Sequence, residues 1–157
     1  MRVQASKIFL LLSLSIVFSS CNMNSIYDEQ VVIEECKWYK DEMARFDLVI
    51  NDTIQLYNFY LKIRNNTDYR YSNLYVFLKT EFPNNNISRD TIECLLANVE
   101  GKWLGKGWGK VKENEFLLSS NMRFPLKGKY EFVIQHAMRT DTLNGIQNIG
   151  IRIAKSE

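Results

Sequence analysis

Apolar residues fall at alternate positions over much of the chain beyond residue 54. From Ile54 to Arg64, Tyr57, Phe59, Leu61 and Ile63 share one face and Asn58 and Lys62 the other, which predicts a half-buried strand. Leu74 to Phe82 repeats the period with Leu74, Val76, Leu78 and Phe82, and Asp90 to Leu96 repeats it with Ile92, Cys94 and Leu96. Lys129 to Ala137 sets Tyr130, Phe132, Ile134 and His136 against Glu131, Val133 and Gln135. Gly145 to Ala154 directs Ile149, Ile151 and Ile153 inward, and Glu115 to Ser120 and Met122 to Phe124 are shorter candidates. Turn clusters separate these segments at Asn65-Asn66-Thr67-Asp68, Pro83-Asn84-Asn85-Asn86 and Lys127-Gly128. Val31 to Ala44 is ambiguous and compatible with a helical turn; no stretch has a long helical period with caps. Short strands between turns predict an all-β fold, a single antiparallel β-sandwich of which the jelly roll is one form.

Leu95 to Lys110, LLANVEGKWLGKGWGK, breaks the alternation. It holds four of the seven glycines, Gly101, Gly105, Gly107 and Gly109, and two of the three tryptophans, Trp103 and Trp108. Glycines at this density suit a shaped loop needing positive φ or close backbone approach. Burying an indole contributes roughly 4–6 kcal/mol, from about 150–250 Å² at about 25 cal/mol per Å². The loop is therefore either folded onto the body or a contact surface.

The beginning of the chain gives an address. Met1 to Ser20 reads as a secretory signal, with Arg2 and Lys7 ahead of an apolar run from Ile8 to Phe18 that is too short to span a bilayer. Phe18-Ser19-Ser20-Cys21 resembles a bacterial lipobox, which would make Cys21 the acylated first residue of the mature protein. An ordinary signal peptide with a chance cysteine is the alternative. Asn22 in place of aspartate favours the outer membrane, and the lack of an acidic cluster from Asn22 to Tyr27 favours a body facing the periplasm. The expected organisation is a signal over 1–20, a polar tether over 21–30 and the sandwich over 31–157.

The formal charge of +2 includes Arg2 and Lys7, so the mature chain is neutral. That argues against nucleic acid, which requires a basic face. Cys36 and Cys94 remain in an oxidising compartment, where a disulfide between them is permitted but not required.

Candidate chemistry is sparse. With one histidine the chain offers no metal site, and no cofactor motif is present. His136, on an alternating strand, reads as a hydrogen-bonded core or edge residue, and no nucleophile motif accompanies it. Asp90, Glu93 and Glu100 are the acids from which a glycosidase pair would be assembled. Asp52-Thr53, Asp90-Thr91 and Asp141-Thr142 resemble the O-glycosylation sequon of exported Bacteroidota proteins, making Thr53, Thr91 and Thr142 candidate acceptors. The same dipeptide also opens strands after turns.

Several short motifs together resemble the GldH gliding-motility lipoprotein family: Trp38, Asp52-Thr53, Tyr57-Asn58, Arg64-Asn65, Tyr69 with Tyr71-Ser72-Asn73-Leu74, Asp90-Thr91, Gly101-Lys102-Trp103-Leu104-Gly105-Lys106-Gly107, Phe124-Pro125, His136-Ala137-Met138-Arg139, and Gly145 through Gly150. Arg70 stands where that pattern often has proline, and Lys110 where an acid is common. The resemblance implies an outer-membrane lipoprotein that supports gliding motility, is linked to type IX secretion and works through other envelope proteins; it brings no catalytic residues. The residues themselves suggest that Arg64, Tyr69, Tyr71, Asn73 and Arg139 form a buried hydrogen-bonded brace beneath the glycine loop. Arg64→Ala would then cost several kcal/mol. The alternatives are a carbohydrate- or peptidoglycan-binding sandwich that stacks sugars on Trp103 and Trp108, and an unrecognised glycosidase.

Overall fold

A computed structural model describes residues 24–156. The predicted signal segment and Cys21 lie outside them. Ten strands follow in order: β1 (Ser25–Val32), β2 (Lys37–Tyr39), β3 (Ala44–Ile50), β4 (Tyr57–Asn66), β5 (Asn73–Glu81), β6 (Ile87–Leu95), β7 (Val111–Met122), β8 (Gly128–His136), β9 (Thr142–Asn144) and β10 (Ile146–Lys155). A 3₁₀ turn at Glu34–Cys36 is the one helical element among the described residues, inside the segment whose sequence period was ambiguous.

One sheet runs β1-β10-β4-β7 and the other β3-β8-β5-β6, with every pairing antiparallel. This is the order of a jelly roll, two interleaved Greek keys of eight strands. The alternating positions explain the packing. Tyr57, Phe59, Leu61 and Ile63 of β4 and Ile149, Ile151 and Ile153 of β10 face Phe46, Leu74, Val76, Phe132 and Ile134 of the second sheet, all in one buried core. A two-stranded ribbon of β2 and β9 closes one end of the sandwich, and Trp38 at its centre is fully buried.

Two expectations about boundaries are corrected. Ser25 to Gln30 is not free tether, because these residues pair with β10 from Ala154 to Gly150, so the sandwich begins at Ser25 and its edge is covered from the first described residues. Their side chains are mostly exposed, so the apolar period that marks other strands is missing. The two short candidates near residue 120 are one strand, β7, with irregular pairing opposite Tyr57 to Tyr60.

The two sides of the sandwich differ. Edge strands β1 and β3 approach each other, whereas β6 and β7 stand apart across a cleft of about 1100 Å³, lined among others by Ile92, Phe116, Leu118, Met122 and Phe124.

Candidate functional site

Residues 96 to 110 connect β6 to β7 across one end of the sandwich and fold as two hydrogen-bonded hairpins. In the first, Ala97 bridges Trp103 and the Asn98 amide donates to the Lys102 carbonyl, with the Asn98 carboxamide accepting from the amides of Glu100 and Lys102. In the second, Lys106 and Glu113 exchange both backbone bonds, at 2.9 and 2.7 Å. The Thr67 amide donates to the Lys110 carbonyl and ties the loop to the end of β4. Gly107 has φ of +133°, and a Cβ there would lie 2.6 Å from the Val111 carbonyl oxygen, so only glycine fits.

The loop splits the two indoles. Trp103 is half-buried and packs against the core, while Trp108 stands at a hairpin tip with 99% of its surface exposed. Of the two possibilities for the loop, Trp103 meets the first, folded onto the body, and Trp108 the second, displayed at the surface. Its turn is short and held from both sides, so the indole has no apolar surface within reach.

The predicted brace is also corrected. Arg64, Tyr71 and Arg139 are exposed, and the two arginines have no hydrogen-bond or ion-pair partner among the described residues. Tyr69 is buried, stacks edge-on with Tyr71 and donates to the Asn73 carbonyl at 3.0 Å, and Asn73 donates to Glu93 at 2.7 Å. The buried polar support under the loop is instead a pair of asparagines. Asn114 Nδ2 donates to Asn65 Oδ1 at 3.0 Å, Asn65 Nδ2 donates to the Asn66 carbonyl at 3.0 Å, and both residues are buried. Gly105 rests directly on this pair, since a Cβ there would meet Asn114 Oδ1 at 2.8 Å. The signal was present in the strand period: Asn65 continues the inward series of Leu61 and Ile63, and Asn114 precedes Phe116 and Leu118 in phase.

Other candidates separate in space. Asp90 and Glu93 are three residues apart on β6 and so point to opposite faces, and Glu100 lies on the glycine loop, so these acids form no pair. Cys36 and Cys94 are both free thiols rather than a disulfide; Cys94 is buried in β6, where desolvation pushes its thiol up to about 12. Thr91 is exposed on β6, while Thr53, beside an Asx turn in which Asp52 accepts from the Ile54 and Gln55 amides, and Thr142 on β9 are half-buried. No group of His, Cys, Asp and Glu among the described residues is placed to hold a metal.

His136 is in the core, as the alternation predicted, but neither ring nitrogen has a hydrogen-bond partner. Trp38 packs edge-on against it at 5.4 Å. Burial, then the Lys40 charge, holds its pKa below the ordinary histidine value, and the weaker opposing pull of the Asp141 and Trp38 backbones does not reverse this. The unfolded chain binds the proton more readily, so the stability due to neutral His136 is complete above about pH 6.5 and declines as pH falls below it. Urea unfolding between pH 7.5 and 5.5 is expected to show this decline, at up to about 1.4 kcal/mol per pH unit, and His136→Leu should remove that component.

The family model described as GldH lipoprotein matches residues 25–153, from the first residue of β1 into β10. The chain belongs to the GldH lipoprotein family. A protein named gliding motility lipoprotein GldH homolog, from Christiangramia forsetii, is 39% identical over 98% of both chains. The gliding motility lipoprotein GldH of Flavobacterium johnsoniae is 31% identical over the full length of both. Among solved structures, dimeric latent PorU from Porphyromonas gingivalis matches 89% of this chain and 14% of its own at 12% identity, with a TM-score of 0.35, too distant to inform fold or function. In this GldH chain the motifs that carried the family resemblance fall at both ends of the jelly roll: at one, Trp38 plugs the core, Tyr69 and Asn73 flank the crossing and the glycine loop caps it, while Tyr57-Asn58 and Phe124-Pro125 lie toward the other.

Proposed function

We propose that this GldH protein is a non-enzymatic lipoprotein, acylated at Cys21 and held in the outer membrane facing the periplasm, which supports gliding motility and type IX secretion-linked machinery through contacts with other envelope proteins. The observation that carries this reading is the end-to-end likeness to the gliding motility lipoprotein GldH of Flavobacterium johnsoniae. The layout of the sandwich fits it. Asn24, three residues after Cys21, lies where Lys155 donates to its carbonyl, next to Tyr57 and Met122, and the glycine loop adjoins Asn66 and Val111 at the other end of the same sheet. An anchor at Cys21 thus holds one end at the bilayer and directs the loop away from it.

In the native host, palmitate labelling and membrane fractionation are expected to place the wild-type protein in the outer membrane. Cys21→Ser should abolish the label, and deletion of the gene should stop colony spreading. A deletion strain that spreads at the normal rate would overturn the motility reading. The exposed Trp108 indole favours a second reading, a peptidoglycan- or carbohydrate-binding lipoprotein. Saturable quenching of tryptophan fluorescence by peptidoglycan fragments, lost in Trp108→Ala, would favour it.

A further inference from the structure

The two hairpins of the glycine loop present their most exposed residues at their tips. Val99 and Trp108 are apolar and essentially free of contact, although the backbone beneath them is fixed by the Ala97–Trp103 and Lys106–Glu113 bridges. An apolar side chain on a rigid support is displayed by the fold rather than by chain freedom, and this is the form of a pre-ordered hot spot. Leu104, on the same loop, is also exposed.

Charge adds a second constraint. The six ion pairs among the described residues join charges on the strands and in the Glu35–Lys37 segment. None of them engages Lys102, Lys106 or Lys110, and Lys112 reaches only the Gly107 carbonyl, at 3.1 Å. Glu100 and Glu113 are the only acids from residue 98 to 113. The apolar tips are therefore set among cations left unneutralised by the chain itself.

We propose that this tip is a docking knob: Trp108 and Val99 enter an apolar pocket of a second envelope protein, and acidic residues around that pocket meet Lys102, Lys106 and Lys110. The proposal rests on the functional reading above and names the surface and the partner's chemistry. A strand of β4's ten residues spans about 33 Å at about 3.3 Å per residue, so a loop at the far end from Asn24 is held away from the anchoring bilayer. The tip is convex and carries one free indole, because Trp103 is packed on the core; a sugar platform needs a hollow or a second ring. A second copy is also a poor occupant. Its apolar cleft, with Asp90 in the lining, opens along the side of the sandwich between β6 and β7, from beside the loop to Met122 and Pro125. The tip instead extends from the end of the sandwich, so two copies anchored upright on one membrane direct their tips past each other's clefts.

The test replaces Trp108 with a photoreactive benzoylphenylalanine in the full-length protein of the native host. Illumination is expected to give one discrete adduct with another protein, identified by mass spectrometry, and none from the same probe at Phe77 on the face of β5. The Lys102→Glu, Lys106→Glu, Lys110→Glu triple variant should reduce the adduct at least tenfold with unchanged melting, and acid-to-lysine exchange around the partner's pocket should restore it. Trp108→Ala, accumulated and melting as wild type, should stop colony spreading. An adduct with lipid, glycan or a second copy, no adduct, or an adduct indifferent to charge reversal would overturn the proposal. A normally spreading Trp108→Ala strain would do so too. If deletion of the whole gene leaves spreading intact, the functional reading fails instead, whatever the adduct shows.

Discussion

Trp38→Ala is expected to lower the free energy of unfolding by about 3–5 kcal/mol, read as a fall in the urea midpoint at pH 7.5 with little change in slope. Trp38 is the largest fully buried side chain, and it closes the end of the core on which the glycine loop sits. Its ring packs edge-on to His136, its indole N–H donates to the Glu42 carbonyl at 2.9 Å, and its backbone pairs with Leu143. Alanine removes the indole from a site where the β2–β9 ribbon has three residues per strand and little freedom to collapse inward. The cavity would also bring water to the unpartnered His136 ring, so the histidine's pKa should return toward its ordinary value and the acid-side loss of stability should shrink. Trp38→Phe keeps a ring at the end of the core and should lose less, which separates packing from the Glu42 hydrogen bond. A melt unchanged in Trp38→Ala would mean that the ribbon is not part of the cooperative unit.

The sandwich was legible because its core strands obey one rule. Each of β4, β5, β8 and β10 carries a series of alternate buried residues, and turn clusters lie at the breaks, so the period alone locates them to within a few residues. β1 was not legible because it is an edge strand with little burial; its pairing with β10 is made by backbone groups that leave no mark on side-chain type. β3 buries alternate residues from Ala44 to Ile50, but it follows a segment with no clear period. At the loop, glycine density announced a fixed conformation and the structure has one. Which indole is covered was not legible, since that depends on the hairpin register: the Ala97–Trp103 bridge turns one ring to the core and the Lys106–Glu113 bridge carries the other outward. The arginine brace is absent for a related reason. Arginine offers many donors, yet Arg64 falls out of phase with Leu61 and Ile63, while the neighbouring Asn65 falls in phase.

That difference in phase sets the last expectation. Asn114→Leu should cost about 1–3 kcal/mol, because Asn65 Oδ1 stays buried after its donor is removed. Leucine keeps asparagine's branching and number of heavy atoms and is the bulkier residue, so no cavity is left and the loss reports the missing hydrogen bond together with any overpacking against Gly105. Arg64→Ala, at an exposed position one residue before Asn65, should change stability by no more than about 0.5 kcal/mol. The double replacement Asn65→Leu/Asn114→Leu decides the cause. Removing both partners leaves neither of the pair's own groups unmatched across the interface, so the double variant should recover much of what Asn114→Leu loses. Additive losses in that cycle would mean that the asparagines act through packing alone. Because Gly105 rests on Asn114, the single variant should also loosen the loop before the sheets: amide exchange at Lys106 and Glu113, the rungs below Trp108, is expected to quicken while the β4–β10 ladder stays protected. Stability of the sandwich and order of the loop would then be separable, and the asparagine pair would be the point where the jelly roll fixes the attitude of its exposed tip.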